Sequence, residues 1–181
     1  MDNPEINATI NSNTLFEHKD SWQTPPYLFE TLHKEFCFGL DLCASHSNAI
    51  LSNYLTKEDN ALQSWRNWHT LAHKRPVWCN PPYSRGNIPA FMTEAKRQAD
   101  ENGATTVFLV PADTAASWFP FDDAKEIRFI RGGRIAFVHA GTGRVISGNT
   151  KGSAICVFGP KTGNYPAALS SVKRSDLIEA A

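Results

Sequence analysis

The most distinctive chemical feature of the sequence is the tetrapeptide Asn80-Pro81-Pro82-Tyr83, which directly follows the apolar run 76–79. Proline has no backbone N–H and a φ of about −65°, so the two prolines form a stiff turn whose carbonyl groups point outward unpaired. The Asn80 side-chain oxygen and the Pro81 carbonyl could each accept one N–H of an amine, which would direct the nitrogen lone pair toward an electrophile. Tyr83 offers a flat ring on which a planar group can stack. The alternative is an ordinary Pro-Pro turn that closes a strand.

Two helices are expected to flank this turn in the sequence. Thr24 is a suitable N-cap and Pro25 a suitable first helical residue, and apolar residues then recur at helical spacing: Leu28, Phe29, Leu32 and Phe36. Asn87 is expected to cap the second helix, with Pro89 in its first turn and Gly103 after its end. Its apolar face would consist of Ile88, Phe91, Met92, Ala95 and Ala99.

Strands are predicted where short apolar or β-prone runs stop at turn residues. The runs are 38–42, 76–79, 105–110, 127–130, 135–138 and 154–158. Pro111 is expected to end the third run, and a tight turn at Gly132-Gly133 to separate the fourth from the fifth. Short elements anchored by Trp65 and Trp68 are expected in 44–74, and a loop in 140–152. Strands that first alternate with helices and then follow one another indicate an α/β fold with a mixed sheet, parallel first and ending with a C-terminal antiparallel strand.

Three residues at predicted strand ends suggest where a ligand would bind. Asp41 lies in the first strand run, Asn80 follows the second, and Pro111 ends the third. In open α/β sheets, ligands bind outside the carboxyl ends of the strands, so we expect these residues to surround a pocket at that edge. Asp41 could equally cap the turn that follows it.

Composition and charge exclude several classes of protein. The 181 residues are 41% hydrophobic and 20% charged, which suits one domain and excludes a disordered, collagenous or coiled-coil chain. No apolar run approaches the ~20 residues of a membrane helix, and residues 1–18 have neither the basic start nor the apolar stretch of a signal peptide. The cysteines and histidines show no metal-ligand spacing, so we expect free thiols, no metal and a cytoplasmic protein.

Domain boundaries are predicted from where the apolar patterning begins and ends. Residues 1–18 are polar and are expected to form a flexible N-terminal tail. Residues 19–160 are expected to form the domain, and 161–181 a loosely attached C-terminal tail. The oligomeric state does not follow from these patterns.

Basic residues are concentrated in one segment of a chain whose net charge is zero. Glu126 is the only acidic residue in 125–151, and the basic residues of this strip are Lys125, Arg128, Arg131, Arg134, Arg144 and Lys151. A neutral molecule has no overall attraction for nucleic acid, so phosphate contacts would have to come from such a strip. Arg128 lies within a predicted strand and is set aside as structural. The alternative is that the strip is a solvated face.

In order along the chain, these residues resemble the compact phage-type DNA N6-adenine methyltransferases, whose catalytic motif is a strand followed by Asn-Pro-Pro-Tyr. The resemblance covers residues 22–158 and rests on these segments: Trp22–Pro25, Leu40–Ala44, Trp78–Tyr83, Leu109–Ala112, Trp118-Phe119 and Phe129–Arg134. The tetrapeptide alone is shared with enzymes that methylate glutamine or guanine. The Thr-Pro opening and the Arg-Gly-Gly-Arg segment are typical of the adenine enzymes.

The resemblance implies a Rossmann-like methyltransferase fold, S-adenosylmethionine as cofactor and double-stranded DNA as substrate, in a bacterium or a phage-infected host. The catalytic residues would be Asn80, Pro81, Pro82 and Tyr83, which would receive an adenine flipped out of the duplex. The DNA-binding residues would be Arg131, Arg134, Arg144 and Lys151. Two other functions stay open: methylation of an RNA base or a protein glutamine, and DNA binding without catalysis.

The resemblance also implies a cofactor site, made of Thr24, Pro25, Asp41, Ala44, Asp59, Asn60 and Asn80. Thr24 and Pro25 match the segment that closes over the methionine part of the cofactor, and Asp41 matches the acidic residue near its amino group. Asp59 and Asn60 match the position that faces the cofactor's adenine, although both could form a solvated turn. The chain departs from the family pattern in having Cys43-Ala44-Ser45 in place of a glycine-rich turn and Asp113 in place of an arginine.

Overall fold

The computed structural model describes residues 22–139, 143–146 and 151–181. The predicted tail at 1–18 therefore lies outside the described residues, as do 140–142 and 147–150 of the predicted loop. The strands are β1 (Trp22–Gln23), β2 (Leu40–Asp41), β3 (Val77–Cys79), β4 (Thr106–Pro111), β5 (Glu126–Arg131), β6 (Phe137–His139), β7 (Val145–Ile146), β8 (Ser153–Phe158) and β9 (Ala168–Lys173). The helices are α1 (Pro26–Phe36), α2 (Trp68–Leu71), α3 (Asn87–Asn102) and α4 (Arg174–Glu179).

The main sheet has six strands in the order β2-β3-β4-β8-β5-β9. Strands β2, β3 and β4 pair in parallel, β8 runs antiparallel to both of its neighbours, and β9 pairs in parallel with β5. The prediction of an α/β fold with a mixed sheet is confirmed, and β8 is the antiparallel strand expected at 154–158. It is not the last strand, however, because β9 and α4 follow it.

The segment predicted to be a loosely attached tail, 161–181, is part of this fold. Residues of β9 pair with the whole length of β5, from Glu126↔Ala168 to Arg131↔Lys173. Helix α4 packs against α1, where the Thr31 hydroxyl donates to the carbonyl of the buried Leu177 at 2.7 Å. The prediction missed β9 because five of its six side chains are exposed, so the strand shows no apolar alternation.

The predicted hairpin around Gly132-Gly133 is wrong. Strand β5 belongs to the main sheet, whereas β6 pairs with β1 and β7 in a separate three-stranded sheet. Both glycines have positive φ, 79° and 132°, and the chain uses this freedom to leave one sheet and enter the other. Propensity identified both strands but could not show which partner each would take.

The predicted helices are present, with start positions shifted by one residue. The N-cap of α1 is Pro25 rather than Thr24, and no side chain makes a capping hydrogen bond at this end of the helix. Helix α3 is preceded by Gly86 as N-cap, and Asn87, expected to be the cap, is its first residue. Gly103 ends α3 with a φ of 70°, as predicted.

The main sheet separates two apolar cores, which give the molecule three layers. Leu28, Phe29 and Leu32 of α1 are buried against Trp78, Val107 and their neighbours on one face. The predicted apolar face of α3 is buried on the other face, against Cys79, Phe108 and the far side of the same strands. Alternate residues of β3 and β4 thus serve opposite cores, as the period of two in a strand requires.

The irregular segment between β2 and β3 is held to α3 by one buried glutamine. Gln98 has no exposed surface, and its Oε1 accepts from the Trp68 backbone N–H at 2.9 Å while its Nε2 donates to the Arg66 carbonyl at 2.6 Å. Trp68 is fully buried, as predicted, but Trp65 is 72% exposed and is not an anchor. Gln98 therefore satisfies backbone groups of a segment whose regular structure is limited to the short helix α2.

We predict that Gln98→Leu lowers the free energy of unfolding by about 2–4 kcal/mol, because a side chain of similar size leaves a buried N–H and a half-buried C=O without partners. Urea denaturation followed by circular dichroism measures the loss. Thr93→Ala changes an exposed residue of the same helix and should shift stability by no more than about 0.5 kcal/mol. Equal effects of the two substitutions would contradict this role for Gln98.

Candidate active site

The parallel strands β2, β3 and β4 end at one edge of the main sheet, and a cavity of about 630 Å³ opens there. A volume of this size is typical of small-molecule sites. Its walls come from the residues after β2 and β3, the irregular segment and the start of α3. They include Trp22, Cys43, Ala44, Asn48, Lys57, Asn60, Asn80, Pro81, Pro82, Tyr83, Asn87 and Phe91.

Asn80 has an oriented side chain with one unused acceptor. It follows β3 directly, and its Nδ2 donates to the backbone carbonyl of Trp22 at 3.3 Å. This bond fixes the orientation of the Asn80 amide. The other polar atom of the amide, Oδ1, is buried and accepts no hydrogen bond from the described residues. A buried acceptor without a partner carries a free-energy cost, which a ligand N–H would remove.

The ring of Tyr83 forms another part of the same wall. Its hydroxyl donates to the Leu109 carbonyl on β4 at 3.2 Å, and Phe137 of β6 meets the ring edge-on with 6.3 Å between centroids. Burial raises the pKa of the Tyr83 hydroxyl above its ordinary value, so the group stays neutral. Contacts from two sheets therefore hold this ring in one orientation.

Asp41 lies behind the cavity wall rather than in it. It is 3% exposed, and its Oδ1 accepts from the Cys43 backbone N–H at 3.1 Å. Burial raises the pKa of the Asp41 carboxyl to about 6, although backbone hydrogen bonds from Cys43 and Ile50 act in the opposite direction. The carboxylate thus shapes the turn whose next residues, Cys43 and Ala44, do line the cavity.

The other residues of the predicted cofactor set fall into two groups. Ala44 and Asn60 line the cavity beside Asn80, whereas Thr24, Pro25 and Asp59 do not. Thr24 and Pro25 are buried, and they lie close in sequence to Trp22, which lines the cavity. The Asp59 Oδ2 accepts from the backbone and the hydroxyl of Thr56, both at 2.8 Å, so Asp59 closes the turn that its sequence context also indicated.

Several cavity residues had no role assigned from the sequence, and Trp22 is the most informative of them. Trp22 is the first residue of the Trp-Gln-Thr-Pro segment, but its hydrogen bond to Asn80 is made by its backbone carbonyl. A pattern of side-chain types cannot indicate a contact made by the backbone. Asn87 and Phe91 were assigned to a helix cap and a helix face, and the first two turns of α3 bring both to the cavity. Helical periodicity could have indicated that Asn87 and Phe91 share a side of α3.

The basic strip between Lys125 and Lys151 is only partly available for a ligand. Arg128 pairs with Glu35 and Glu126, each at 2.6 Å, in agreement with its structural assignment. Lys151 pairs with Asp113, an acid that lies outside the strip in sequence. The exposed residues Arg131 and Arg134 flank the crossing between the two sheets, and Arg144 lies exposed beside β7.

The fold and this site define an α/β protein with an Asn-Pro-Pro-Tyr turn beside a cavity at the carboxyl edge of a mixed sheet. A family model for DNA N-6-adenine-methyltransferase (Dam) matches residues 11–181. The chain therefore belongs to the DNA N-6-adenine-methyltransferase (Dam) family, whose members are adenine-specific DNA methyltransferases.

Two phage proteins named DNA N-6-adenine-methyltransferase are similar to this chain. The protein of Escherichia phage T1 is 33% identical over 164 residues, which are 81% of this chain and 66% of the relative. The protein of Haemophilus phage HP1 (strain HP1c1) is 35% identical over 154 residues, 83% of this chain and 84% of the relative. The chain thus spans about two thirds of the length of the first relative and more of the second.

The described residues contain no group of three or more His, Cys, Asp or Glu side chains that could hold a metal ion. Within the same residues, no helix is both long and apolar enough to span a bilayer. The polar side chains that line the cavity are mainly amides and hydroxyls, together with the ammonium group of Lys57 and the thiol of Cys43.

We predict that Asp41 makes the stability of the ligand-free protein depend on pH. The carboxyl holds its proton to a pH of about 6 when folded and only to about 3.8 as an ordinary aspartic acid, so its favourable contribution is lost as the pH rises between these values. Asp41→Asn keeps an oxygen for the Cys43 N–H and should raise the free energy of unfolding by about 3 kcal/mol at pH 7, but little at pH 3.5.

Urea denaturation of the protein and of Asp41→Asn at both pH values measures this difference. Glu58→Gln removes an exposed carboxylate of the neighbouring segment and is the control, which should follow the unsubstituted protein. A stability difference for Asp41→Asn that is the same at both pH values would refute the assignment.

Proposed function

We propose that this protein transfers a methyl group from S-adenosylmethionine to N6 of an adenine in double-stranded DNA, with a Rossmann-like methyltransferase fold as its scaffold. The observation that carries the proposal is the buried Asn80 Oδ1, which lacks a hydrogen-bond partner among the described residues at the cavity wall. The similarity to phage proteins named DNA N-6-adenine-methyltransferase supports DNA over an RNA base or a protein glutamine.

The catalytic work of the turn is to orient a weak nucleophile. The lone pair of an exocyclic amine is delocalised into its ring, so the amine attacks poorly unless it is held. Asn80 Oδ1 and the Pro81 carbonyl accept its N–H bonds, and the Tyr83 ring stacks on the base. Asn80 is an amide and takes no proton at neutral pH, so the proton released from the amine passes to solvent.

The cavity fits the proposed cofactor in size and chemistry. S-adenosylmethionine, when bound, supplies a methyl group activated by its sulfonium charge. Ala44 and Asn60 would contact it on the side opposite the catalytic turn, and Asp41 would favour its cationic groups from behind the wall. Thr24 and Pro25 would act through Trp22, to whose strand they are joined.

An adenine must leave the duplex to reach this turn, because the Asn80 oxygen is buried at the sheet edge. Extrusion of a base carries a free-energy cost of a few kcal/mol, which stacking on Tyr83 would offset in part. The exposed arginines Arg131, Arg134 and Arg144 would contact phosphates on either side of the extruded base. Lys151 would join them after separation from Asp113.

We predict that Asn80→Ala lowers the rate of DNA adenine methylation by at least about a hundredfold, which corresponds to ~3 kcal/mol of lost transition-state stabilisation. Asn80→Asp keeps the acceptor oxygens but cannot donate to the Trp22 carbonyl, so it should retain more activity than Asn80→Ala. Incorporation of labelled methyl groups into duplex DNA measures the rate, and calorimetry checks that cofactor affinity changes little.

Asn164→Ala, at an exposed position outside the cavity, is the matched control and should leave the rate unchanged. The same assay with RNA and protein substrates tests the alternative acceptors. Retention of most of the turnover by a folded Asn80→Ala protein would show that the proposed mechanism is wrong.

We predict that replacement of Arg131, Arg134 and Arg144 by Gln weakens DNA binding and reduces its salt dependence. The net charge of the chain is zero, so binding must come from local contacts, and each phosphate contact contributes about −0.9 to the slope of log K against log salt. The slope should therefore flatten by roughly one for each true contact. Titration of labelled duplex DNA at several salt concentrations measures it.

Lys96→Gln removes a cation from α3, outside the strip, and should leave the salt slope unchanged. Cofactor binding should survive in the triple variant, since none of its three arginines lines the cavity. An unchanged slope in the triple variant would mean that the strip is a solvated face.

A further inference from the structure

Two cysteines stand side by side where the walls of the cavity leave the main sheet. The Cys43 Sγ lies 3.7 Å from the Cys79 Sγ, in van der Waals contact. Cys43 is half-buried and lines the cavity, whereas Cys79 has no exposed surface and immediately precedes Asn80. Cys79 is the last residue of β3, and Cys43 lies two residues after the end of the neighbouring parallel strand β2. The pairing of the two strands therefore holds the thiols close to each other.

We propose that Cys43 and Cys79 form an oxidisable dithiol, which hydrogen peroxide reaching the cavity converts to a disulfide next to the Asn-Pro-Pro-Tyr turn. The proposal rests on the sulfur–sulfur contact and on the unequal access of the two thiols. It does not depend on the function proposed above.

The chemistry proceeds in two balanced steps. The Cys43 sulfur attacks one oxygen of the peroxide, whose O–O bond breaks, and the products are a sulfenic acid on Cys43 and one water. The Cys79 sulfur then attacks the Cys43 sulfur, the S–S bond forms as the S–O bond breaks, and the leaving hydroxide takes the thiol proton as a second water. Two thiols lose two electrons and two protons in total, and the peroxide is reduced to two waters.

The order of these steps follows from the surroundings of each thiol. Burial raises the pKa of the Cys79 thiol above its ordinary value, so Cys79 is a poor first nucleophile and is suited to resolve a sulfenic acid already in contact with it. Cys156 is also buried, with the pKa of its thiol raised to about 12, and lies within β8. Cys37 is exposed, so it will react with peroxide independently.

Closure of the bond would change the shape of the cavity. The sulfur atoms must approach from 3.7 Å to about 2.05 Å, and Cys79 is packed within the core of the sheet. Most of the movement therefore falls on Cys43, whose N–H is held by Asp41 and whose neighbour Ala44 lines the cavity. The disulfide form should bind a ligand of this cavity at least about tenfold more weakly, a change of roughly 1.4 kcal/mol.

The test uses hydrogen peroxide and the full chain carrying Cys37→Ser. This background is needed because the tryptic peptide 35–57 contains both Cys37 and Cys43, while Cys79 lies in 75–85 and Cys156 in 152–161. We expect mass spectrometry to find 35–57 joined to 75–85, with the link reversed by dithiothreitol and 152–161 still reduced. The Cys79 thiol should be lost at least about tenfold faster than in the Cys37→Ser/Cys43→Ser protein.

A folded protein in which Cys43 is oxidised to sulfinic acid without the link, or in which Cys79 is lost equally fast without Cys43, would overturn the proposal. A parallel reaction with saturating S-adenosylmethionine tests the cofactor site separately. Slower formation of the link would support occupancy of the cavity by the cofactor. Formation of the link at an unchanged rate would support the dithiol and count against that occupancy.

Discussion

The parallel pairing of β2, β3 and β4 is the constraint on which the site depends. Parallel strands end at the same edge of a sheet, so Asp41 and Cys79 come together although they are 38 positions apart in the chain. Strand β4 continues three residues past Phe108, the partner of Cys79, and Pro111 at its end does not line the cavity. Strands β3 and β4 contribute alternate residues to both apolar cores, which couples the positions of their ends to two cores at once. A rigid edge of this kind can hold a catalytic turn in one geometry.

The small sheet of β1, β6 and β7 supplies contacts that orient the side chains of Asn80 and Tyr83. β1 brings the Trp22 carbonyl to Asn80, and β6 brings Phe137 to the edge of the Tyr83 ring. The first contact decides which polar atom of the Asn80 amide is left to accept, and the second fixes the plane of the Tyr83 ring. The division of the chain at Gly132-Gly133 into two sheets is thus a condition for the geometry of the site.

Local charge has different uses in different parts of this neutral molecule. Arg128 joins α1 to β5 through Glu35 and Glu126, so its charge serves the fold. Asp41 is buried as an acid at a pKa of about 6, which makes its ionisation sensitive to a cation at the cavity. Lys151 and Asp113 neutralise each other beside the end of β4. The position of each partner, rather than the count of charges, decides which role applies.

The sequence by itself determined the residue types and periods that are local: the apolar faces of α1 and α3, the buried strands at 40–41 and 77–79, and the Asn-Pro-Pro-Tyr turn directly after a strand. Only the tertiary structure decided what depends on partners distant in the chain. Strand β9 has an exposed polar pattern and exists because β5 pairs with it. Trp65 is exposed whereas Trp68 is buried, because the Trp68 ring packs in the core beside α3 and its indole N–H donates to the Ala61 carbonyl. The acceptor left free on Asn80 depends on the Trp22 backbone carbonyl, 58 positions away, and a backbone group leaves no signature in side-chain sequence.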